Sequence, residues 1–216
     1  MLFHSYSSKT LLLFISILLF TACQTDDTPL PFLGEKDITE KTVNGEVVKD
    51  TTYYTIPDFN FTNQYGKTIT PATFEDKIYV SDFFFTSCPT ICPTVKIQMR
   101  RIYDKYQSDD RLMMVSHTLD PKRDNVEKLL DYSKKLQLEG DKWHFVTGKK
   151  EALYDMAHAY FISAAEDADE PGGITHSGKI ILADKQKRIR AFADGTDEKQ
   201  VTQLLKDIDK LLNEEF

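Results

Sequence analysis

Two cysteines lie four residues apart in Cys88-Pro89-Thr90-Ile91-Cys92-Pro93, directly after a strongly apolar run of the 216-residue chain. Two thiols at this spacing can close a disulfide, exchange electrons with another thiol pair, or bind a soft metal ion such as Cu(I) or Zn(II). A chain of this length buries a full hydrophobic core without a covalent staple. The pair is therefore more typical of a reactive or metal-binding site than of a structural disulfide.

A strand, a turn and a helix are predicted to carry the two cysteines. Lys77 to Phe85 is a continuous apolar and aromatic run, which is typical of a buried central strand. After Cys92 the apolar residues recur at helical spacing. Residues i and i+4 share one face of a helix, so the sulfurs of Cys88 and Cys92 converge if the first turn includes both. The unpaired N–H groups of a helix N-terminus lower the pKa of a nearby thiol, and Pro93 suits that turn.

A histidine is the candidate third ligand. His176 follows the turn-forming segment Pro171-Gly172-Gly173 and precedes a predicted strand from Lys179 to Ala183. Loops that end at a scaffold strand commonly carry ligands and catalytic groups, and imidazole suits both copper and zinc. The residues by themselves leave three interpretations of the cysteine pair open: a structural disulfide, a redox dithiol and a metal site.

Other polar residues near these segments are weaker candidates. Asp82 lies six residues before Cys88 on the predicted buried strand. A carboxylate there with a raised pKa would serve thiol proton transfer, and the alternative is a structural aspartate bonded to neighbouring backbone. His117, on the next predicted strand, is expected at the surface or at a cap. The remaining candidates are assigned to a strand face, a helix face and the core, namely His144, His158, Met113 and Met114.

Strands and helices alternate along residues 55–216, which predicts one α/β domain. Its central mixed sheet is expected to have helices on both faces and an N-terminal hairpin from Phe59 to Thr70, with Gly66 in the turn. Residues 163–175 are predicted to form a polar loop. Further strands are expected at 111–118, 143–146, 179–183 and 188–192, and helices after Cys92 and at 125–138, 151–160 and 197–212.

The first 23 residues have the pattern of an export signal. Lys9 precedes an apolar run at residues 11–20, which is short for a membrane span and matches a secretory signal. Phe20-Thr21-Ala22-Cys23 resembles the lipobox of bacterial lipoproteins, which implies a signal peptide at 1–22 and a lipid-modified Cys23; the alternative is an uncleaved signal anchor. Both alternatives tie the domain to a membrane and expose it to the periplasm or the cell exterior. Residues 23–54 are predicted to be a polar tether with a short strand near 43–48.

The charge pattern gives no support for nucleic-acid binding. The chain has 27 Lys and Arg against 34 Asp and Glu, a formal net charge of −7. Its basic residues form no stripe interleaved with aromatics. An acidic surface of this size is ordinary for a soluble domain.

Several ordered segments resemble the Sco/SenC family of copper proteins. The first is Asp82-Phe83 with Thr86-Ser87-Cys88-Pro89-Thr90-Ile91-Cys92-Pro93, which is similar to the family signature around its cysteines. The later segments resemble the family's Asp-Pro-x-Arg-Asp stretch, its Trp-x-Phe-x-Thr-Gly stretch, the segment with its ligand histidine, and the turn before its last helix. These are Ser116 to Asp124, Trp143 to Gly148, Ile174 to Ser177, and Asp194 to Thr196.

This resemblance implies a thioredoxin-like fold and a copper ion bound by Cys88, Cys92 and His176. It implies delivery of copper to the binuclear copper site of a respiratory terminal oxidase. The expected partners are the copper-site subunit of that oxidase and other copper carriers or thiol reductants. Because the same dithiol can be oxidised, a membrane-anchored thiol-disulfide oxidoreductase that reduces the acceptor's cysteines is the alternative.

Overall fold

The computed structural model describes residues 28–44 and 46–216. The strands in this part of the chain are β1 (Lys36–Val43), β2 (Glu46–Tyr53), β3 (Phe61–Asn63), β4 (Thr68–Ile69), β5 (Ile78–Phe84), β6 (Leu112–Thr118), β7 (Trp143–Thr147), β8 (Ala164–Glu166), β9 (Ile174–His176), β10 (Lys179–Ala183) and β11 (Ile189–Asp194). The helices are α1 (Cys92–Tyr106), α2 (Val126–Lys135), α3 (Lys150–Ala159) and α4 (Glu198–Glu215), and a single 3-10 turn spans Pro71–Phe74.

One mixed sheet organises the domain, with the strand order β11-β10-β5-β6-β7-β3-β4. Strands β5, β6 and β7 run parallel to one another, whereas β10 is antiparallel to β5 and β3 is antiparallel to β7. Every residue of β5 is buried, as expected for a central strand covered by helices on both faces. The predicted α/β class and central mixed sheet are confirmed, and so is the predicted hairpin, which β3 and β4 form.

The two faces of the sheet bury separate cores. Alternate residues of β5, including Val80 and Phe84, pack with α1, α2 and α4, and we call this the α1 face. The intervening residues, including Tyr79 and Phe83, pack with α3 on the opposite face, which we call the α3 face. Because side chains alternate along a strand, Asp82 lies on the α1 face between Val80 and Phe84.

The predicted polar loop at 163–175 contains a hairpin. Strands β8 and β9 pair antiparallel, with Ala164 opposite His176. The buried side chains of Ala164 and Ile174 anchor the hairpin to the core of the α3 face. The polar sequence between these two residues gives no sign of a hairpin, which is why a loop was predicted. The hairpin ends at His176, so the histidine is positioned by a strand rather than by an irregular loop.

The predicted tether also contains regular structure. Strands β1 and β2 form an antiparallel ribbon that is exposed along almost its whole length. The expected strand at 43–48 is wrong, because Val43 ends β1 and Glu46 begins β2. Cross-strand charge pairs support the ribbon without a core: Glu40 lies directly opposite Lys49, and Lys41 reaches the diagonally placed Asp50 at 2.9 Å.

The signal peptide, the lipobox and Cys23 lie outside the described residues, so the prediction of an export signal stays a prediction. In the part of the chain that the structure describes, no helix has the length and apolar character needed to cross a bilayer.

Candidate metal centre

The chain between β5 and α1 carries both cysteines. Strand β5 ends at Phe84, and the N–H of Cys88 then donates to the carbonyl of Phe85 at 3.2 Å. Helix α1 begins at Cys92, with Pro93 in its first turn as predicted. The first helical turn does not include both cysteines, because the helix starts at Cys92 and Cys88 lies in the turn before it.

Three ligand atoms converge at this junction. The sulfurs of Cys88 and Cys92 and a ring nitrogen of His176 all lie within 4.8 Å of one another, and the two cysteines are free thiols. The Nε2 of His176 is 3.5 Å from Cys92 Sγ. His176 reaches the cysteines because β10, which starts three residues after it, pairs with β5. The structure thus brings together the three residues that the sequence singled out.

The imidazole of His176 is oriented with Nε2 towards the sulfurs. Its Nδ1 lies 3.1 Å from the carbonyl of Ser177, and a ring N–H donated there leaves the lone pair on Nε2. The ring meets Phe85 edge-on at a centroid distance of 5.9 Å. Burial lowers the pKa of His176, which favours the neutral form that binds metals.

The two thiols have opposite pKa shifts. Burial raises the pKa of Cys92 to about 12, and a hydrogen bond to Cys88 acts in the same direction, while the nearby charge of Lys96 opposes them. Burial also acts to raise the pKa of Cys88, but hydrogen bonds from Cys92 and Thr90 outweigh it and leave the pKa below its ordinary value. The half-exposed Cys88 is therefore the more reactive thiol.

Comparison with known proteins identifies the family. Residues 48–213 match the SCO1/SenC family model. The chain belongs to the SCO1/SenC family. The matched residues include both cysteines, His176 and every strand of the central sheet.

Solved structures of SCO1/SenC proteins share the fold. A family lipoprotein of Bacillus anthracis has a TM-score of 0.66 at 23% identity, covering 74% of this chain and 95% of that one. BsSco, a member of the Sco family of cytochrome c oxidase assembly proteins in which a disulfide switch was identified, has a TM-score of 0.64 at 22% identity, covering 73% and 93%. Arabidopsis thaliana ScoI with copper bound has a TM-score of 0.62 at 23% identity, covering 73% and 98%. The predicted thioredoxin-like fold is confirmed.

A glycine lets the β8–β9 hairpin close over the cysteine turn of this SCO1/SenC domain. Gly172 has a φ of +96°, and a Cβ at that position would lie 2.8 Å from Phe85 and 3.4 Å from Pro89. Only glycine adopts this backbone conformation without strain and leaves room for the Phe85 ring. The close packing fixes the hairpin beside the turn.

Asp82 is buried on the α1 face and is bonded to side chains. Its Oδ2 lies 2.6 Å from Lys96 Nζ, and its Oδ1 accepts a hydrogen bond from Ser116. The structural alternative predicted that neighbouring backbone groups would bond the carboxylate. This is wrong, because its partners are the side chains of Lys96 and Ser116. A part for Asp82 in thiol proton transfer stays a prediction.

Sequence reasoning missed two residues that support the centre. Asp124 accepts hydrogen bonds from the Thr86 N–H at 3.0 Å, the Thr86 hydroxyl at 2.5 Å and the Thr118 hydroxyl at 2.6 Å, so it ties the cysteine turn to the end of β6. Lys96 lies on the buried side of α1. The sequence feature that could have indicated Lys96 is its position four residues after Cys92, in the apolar stripe of the predicted helix. A lysine at such a position is unusual, because lysine is rarely buried.

The other three histidines in the described part of the chain lie away from the centre. His117 is fully buried on the α3 face, and the expectation of a surface or cap position is wrong because the rings of Phe59, Phe61 and Phe83 enclose it. The remaining predictions hold: one histidine is buried on a strand face, one is exposed on α3, and the two methionines pack in the cores, namely His144, His158, Met113 and Met114.

Proposed function

We propose that this domain binds one copper ion through Cys88, Cys92 and His176 and passes it to another protein. The observation that carries the proposal is the convergence of two sulfurs and one imidazole nitrogen within 4.8 Å. Thiolates are the soft ligands that Cu(I) prefers, and imidazole suits both oxidation states of copper. The family, which includes a solved relative with copper bound, gives independent support.

A groove of about 680 Å³ opens beside the cysteines and gives the proposed copper an exit. Cys88 and Cys92 line it together with Pro93 and the exposed Ile97 of α1. Three protein ligands leave Cu(I) open to attack by a thiol of an acceptor, which can enter along the groove. Copper then moves by exchange of one ligand at a time, without release into water.

Titration with Cu(I) tests the copper site. We expect the reduced chain to bind one equivalent in competition with a chromogenic chelator, and Cys88→Ala, Cys92→Ala and His176→Ala to lose most of that affinity. His158→Ala is the matched control, because His158 is exposed on α3. If His176→Ala binds copper as tightly as the parent chain, the three-ligand site is wrong and a plain dithiol remains.

We propose that the acceptor is the binuclear copper site of a respiratory terminal oxidase. The support is membership of a family with oxidase assembly proteins among its relatives. The test mixes the copper-bound chain with the purified, metal-free copper-site subunit and follows the visible spectrum of the binuclear centre. Appearance of that spectrum with the parent chain but not with Cys88→Ala is the expected result. A spectrum that forms equally well from free copper contradicts a delivery role.

Thiol-disulfide exchange is the second candidate function. The observation that favours it is the contrast between a half-exposed Cys88 with a lowered pKa and a buried Cys92 with a raised one, which is the arrangement of an attacking and a resolving thiol. In that reaction the acceptor's disulfide is reduced and Cys88 and Cys92 become oxidised. The copper-free chain, with or without His176→Ala, should then reduce an oxidised acceptor; failure to do so excludes this function.

We also propose that the chain is exported and held at a membrane by a lipid on Cys23. The support is the apolar run before Phe20-Thr21-Ala22-Cys23, together with the lipoprotein among the solved relatives. Mass spectrometry of the mature chain should find residue 23 as the acylated N-terminus, and Cys23→Ser should shift the protein to the soluble fraction. An N-terminus at Met1 in the membrane fraction would favour the uncleaved anchor.

A further inference from the structure

A lysine and an aspartate form a buried ion pair in the α1 face, close to the cysteines. Lys96 Nζ lies 2.6 Å from Asp82 Oδ2 and 2.9 Å from Ser116 Oγ, and the two charged side chains are 4% and 0% exposed. Ser116 donates to the other oxygen of Asp82 and accepts a 2.8 Å hydrogen bond from Trp143 Nε1. The charges are thus fixed in place by a network of buried side chains.

Three aromatic rings surround the ammonium group. Lys96 Nζ lies 4.2 Å from the ring centre of Phe84, 5.4 Å from that of Phe145 and 5.5 Å from that of Trp143. The faces of aromatic rings attract cations, most strongly where water is excluded. These rings supply part of the stabilisation that a cation loses when it leaves water.

Stability alone does not account for this pair. Replacement of a buried ion pair by apolar residues of similar volume is often neutral or stabilising. The position of the pair is more informative. Lys96 follows Cys92 by one helical turn on the buried side of α1, and it lines the same groove as the two cysteines. Asp82 is fully buried in the strand beneath.

We propose that Lys96 is a positioning residue that stabilises the negative charge of the copper-bound centre and so favours Cu(I) over Cu(II). The inference rests on the proposed copper site. When Cu(I) binds, the two thiols release their protons to water. Two thiolates and a neutral imidazole around Cu(I) then carry one net negative charge, whereas the same ligands around Cu(II) carry none. A fixed cation in the wall of the site therefore stabilises the Cu(I) complex selectively, and a carboxylate acts in the opposite direction.

The experiment measures Cu(I) affinity of the full reduced chain against a chromogenic chelator, without oxygen and at fixed pH, and the midpoint potential of the bound copper. Lys96→Met should weaken Cu(I) binding about ten-fold, as expected for loss of one buried charge nearby, and lower the Cu(II)/Cu(I) potential. Asp82→Asn should do the reverse, strengthening Cu(I) binding and raising the potential. Lys105→Met removes the same charge at an exposed position near the end of α1 and should change neither quantity.

The opposite signs separate this role from a structural one. If both variants bind Cu(I) more weakly, in step with lower thermal stability, the pair only supports the fold and the proposal is overturned. If circular dichroism finds Lys96→Met unfolded, the sign of the Asp82→Asn effect decides by itself. Failure of the parent chain to bind copper would instead overturn the proposed function.

Discussion

Cys88 and Cys92 differ in their surroundings although only three residues separate them. Cys88 is half-exposed in the turn, and the Thr90 hydroxyl lies 3.6 Å from its sulfur. Cys92 is 3% exposed and begins α1. An incoming reagent therefore meets the sulfur of Cys88 before that of Cys92.

The difference predicts the order in which the metal-free thiols react. Because the pKa of Cys88 is lowered and that of Cys92 is raised to about 12, iodoacetamide at pH 7 to 8 should alkylate Cys88 at least about ten-fold faster. The rate at Cys88 should level off at a lower pH than the rate at Cys92. Peptide mass spectrometry after timed quenching measures both, with Cys88→Ser and Cys92→Ser as single-thiol references. Equal rates at the two positions would contradict this assignment.

At the scale of elements, Asp124 joins the cysteine turn to the end of β6. Asp124→Ala would leave the N–H and hydroxyl of Thr86 and the hydroxyl of Thr118 without their acceptor. We expect the free energy of unfolding to fall by about 2 to 3 kcal/mol and Cu(I) affinity to fall with it, because the turn that holds Cys88 loosens. Urea denaturation and chelator competition measure the two effects. Asp131→Ala, at an exposed position of α2, is the control; a loss of stability without any loss of affinity would mean that other contacts hold the turn.

Periodicity predicted the elements that have a clear apolar pattern. Central strand β5, helix α1 and the β10–β11 hairpin appear close to their expected bounds, because burial on one or both faces leaves a repeat in the sequence. The β1–β2 ribbon and the β8–β9 hairpin were missed, since cross-strand charges or two buried side chains support them rather than an apolar stripe. The Lys96 and Asp124 networks join residues far apart in sequence, and no local spacing indicates such contacts.

Adjacent strands β6 and β7 bury two histidines, and this predicts acid sensitivity. Burial lowers the pKa of His117 to about 3 and that of His144 to about 4. Unfolded histidines take up protons near pH 6.5, so the unfolded state binds more protons below that pH and stability falls as pH drops from 6.5 towards 4. Each histidine contributes a loss of up to about 1.4 kcal/mol per pH unit.

The pH dependence can be assigned with one variant. In urea denaturation at pH 7.5, 6 and 5, His117→Phe should lose less stability between pH 6 and 5 than the parent chain, because one of the two buried bases is gone while the aromatic packing around it persists. The carboxylates change the stability with pH equally in both proteins, so their contribution cancels when the two pH dependences are compared. Identical slopes would mean that His117 is accessible to protons in the folded state.

At the scale of the whole molecule, the chain enters the domain at the end of the sheet opposite the metal centre. Arg190, 3% exposed, donates to the carbonyl of Leu30 at 2.7 Å and to that of Pro31 at 3.2 Å, and it pairs with Glu214 at 2.8 Å. Strand β10 runs from the His176 end, where Ile180 faces Asp82, to the Arg190 end, where Ala183 faces Tyr79. The Arg190 end of the sheet and the metal centre are thus separated by about the length of β5, roughly 23 Å.

This arrangement predicts that the contacts of Arg190 with the segment at Leu30 and Pro31 can be broken without disturbing the metal centre. Arg190→Met removes the hydrogen-bond donor to the carbonyls of Leu30 and Pro31. It also leaves the buried carboxylate of Asp184 with one arginine instead of two, so the free energy of unfolding should fall by about 3 kcal/mol. Chymotrypsin should then cut at Phe32 and Leu33 much faster than in the parent chain, as mass spectrometry of the fragments would record. Cu(I) affinity should stay within about two-fold, because the change lies at the far end of β10. Lys187→Met, which removes an exposed pair with Asp58 in the nearby turn before β11, should leave the cleavage rate unchanged. Slow cleavage of Arg190→Met would mean that the remaining contacts hold the segment, among them the Leu33–Ile189 bridge and the hydrogen bond from the Leu30 N–H to Glu214.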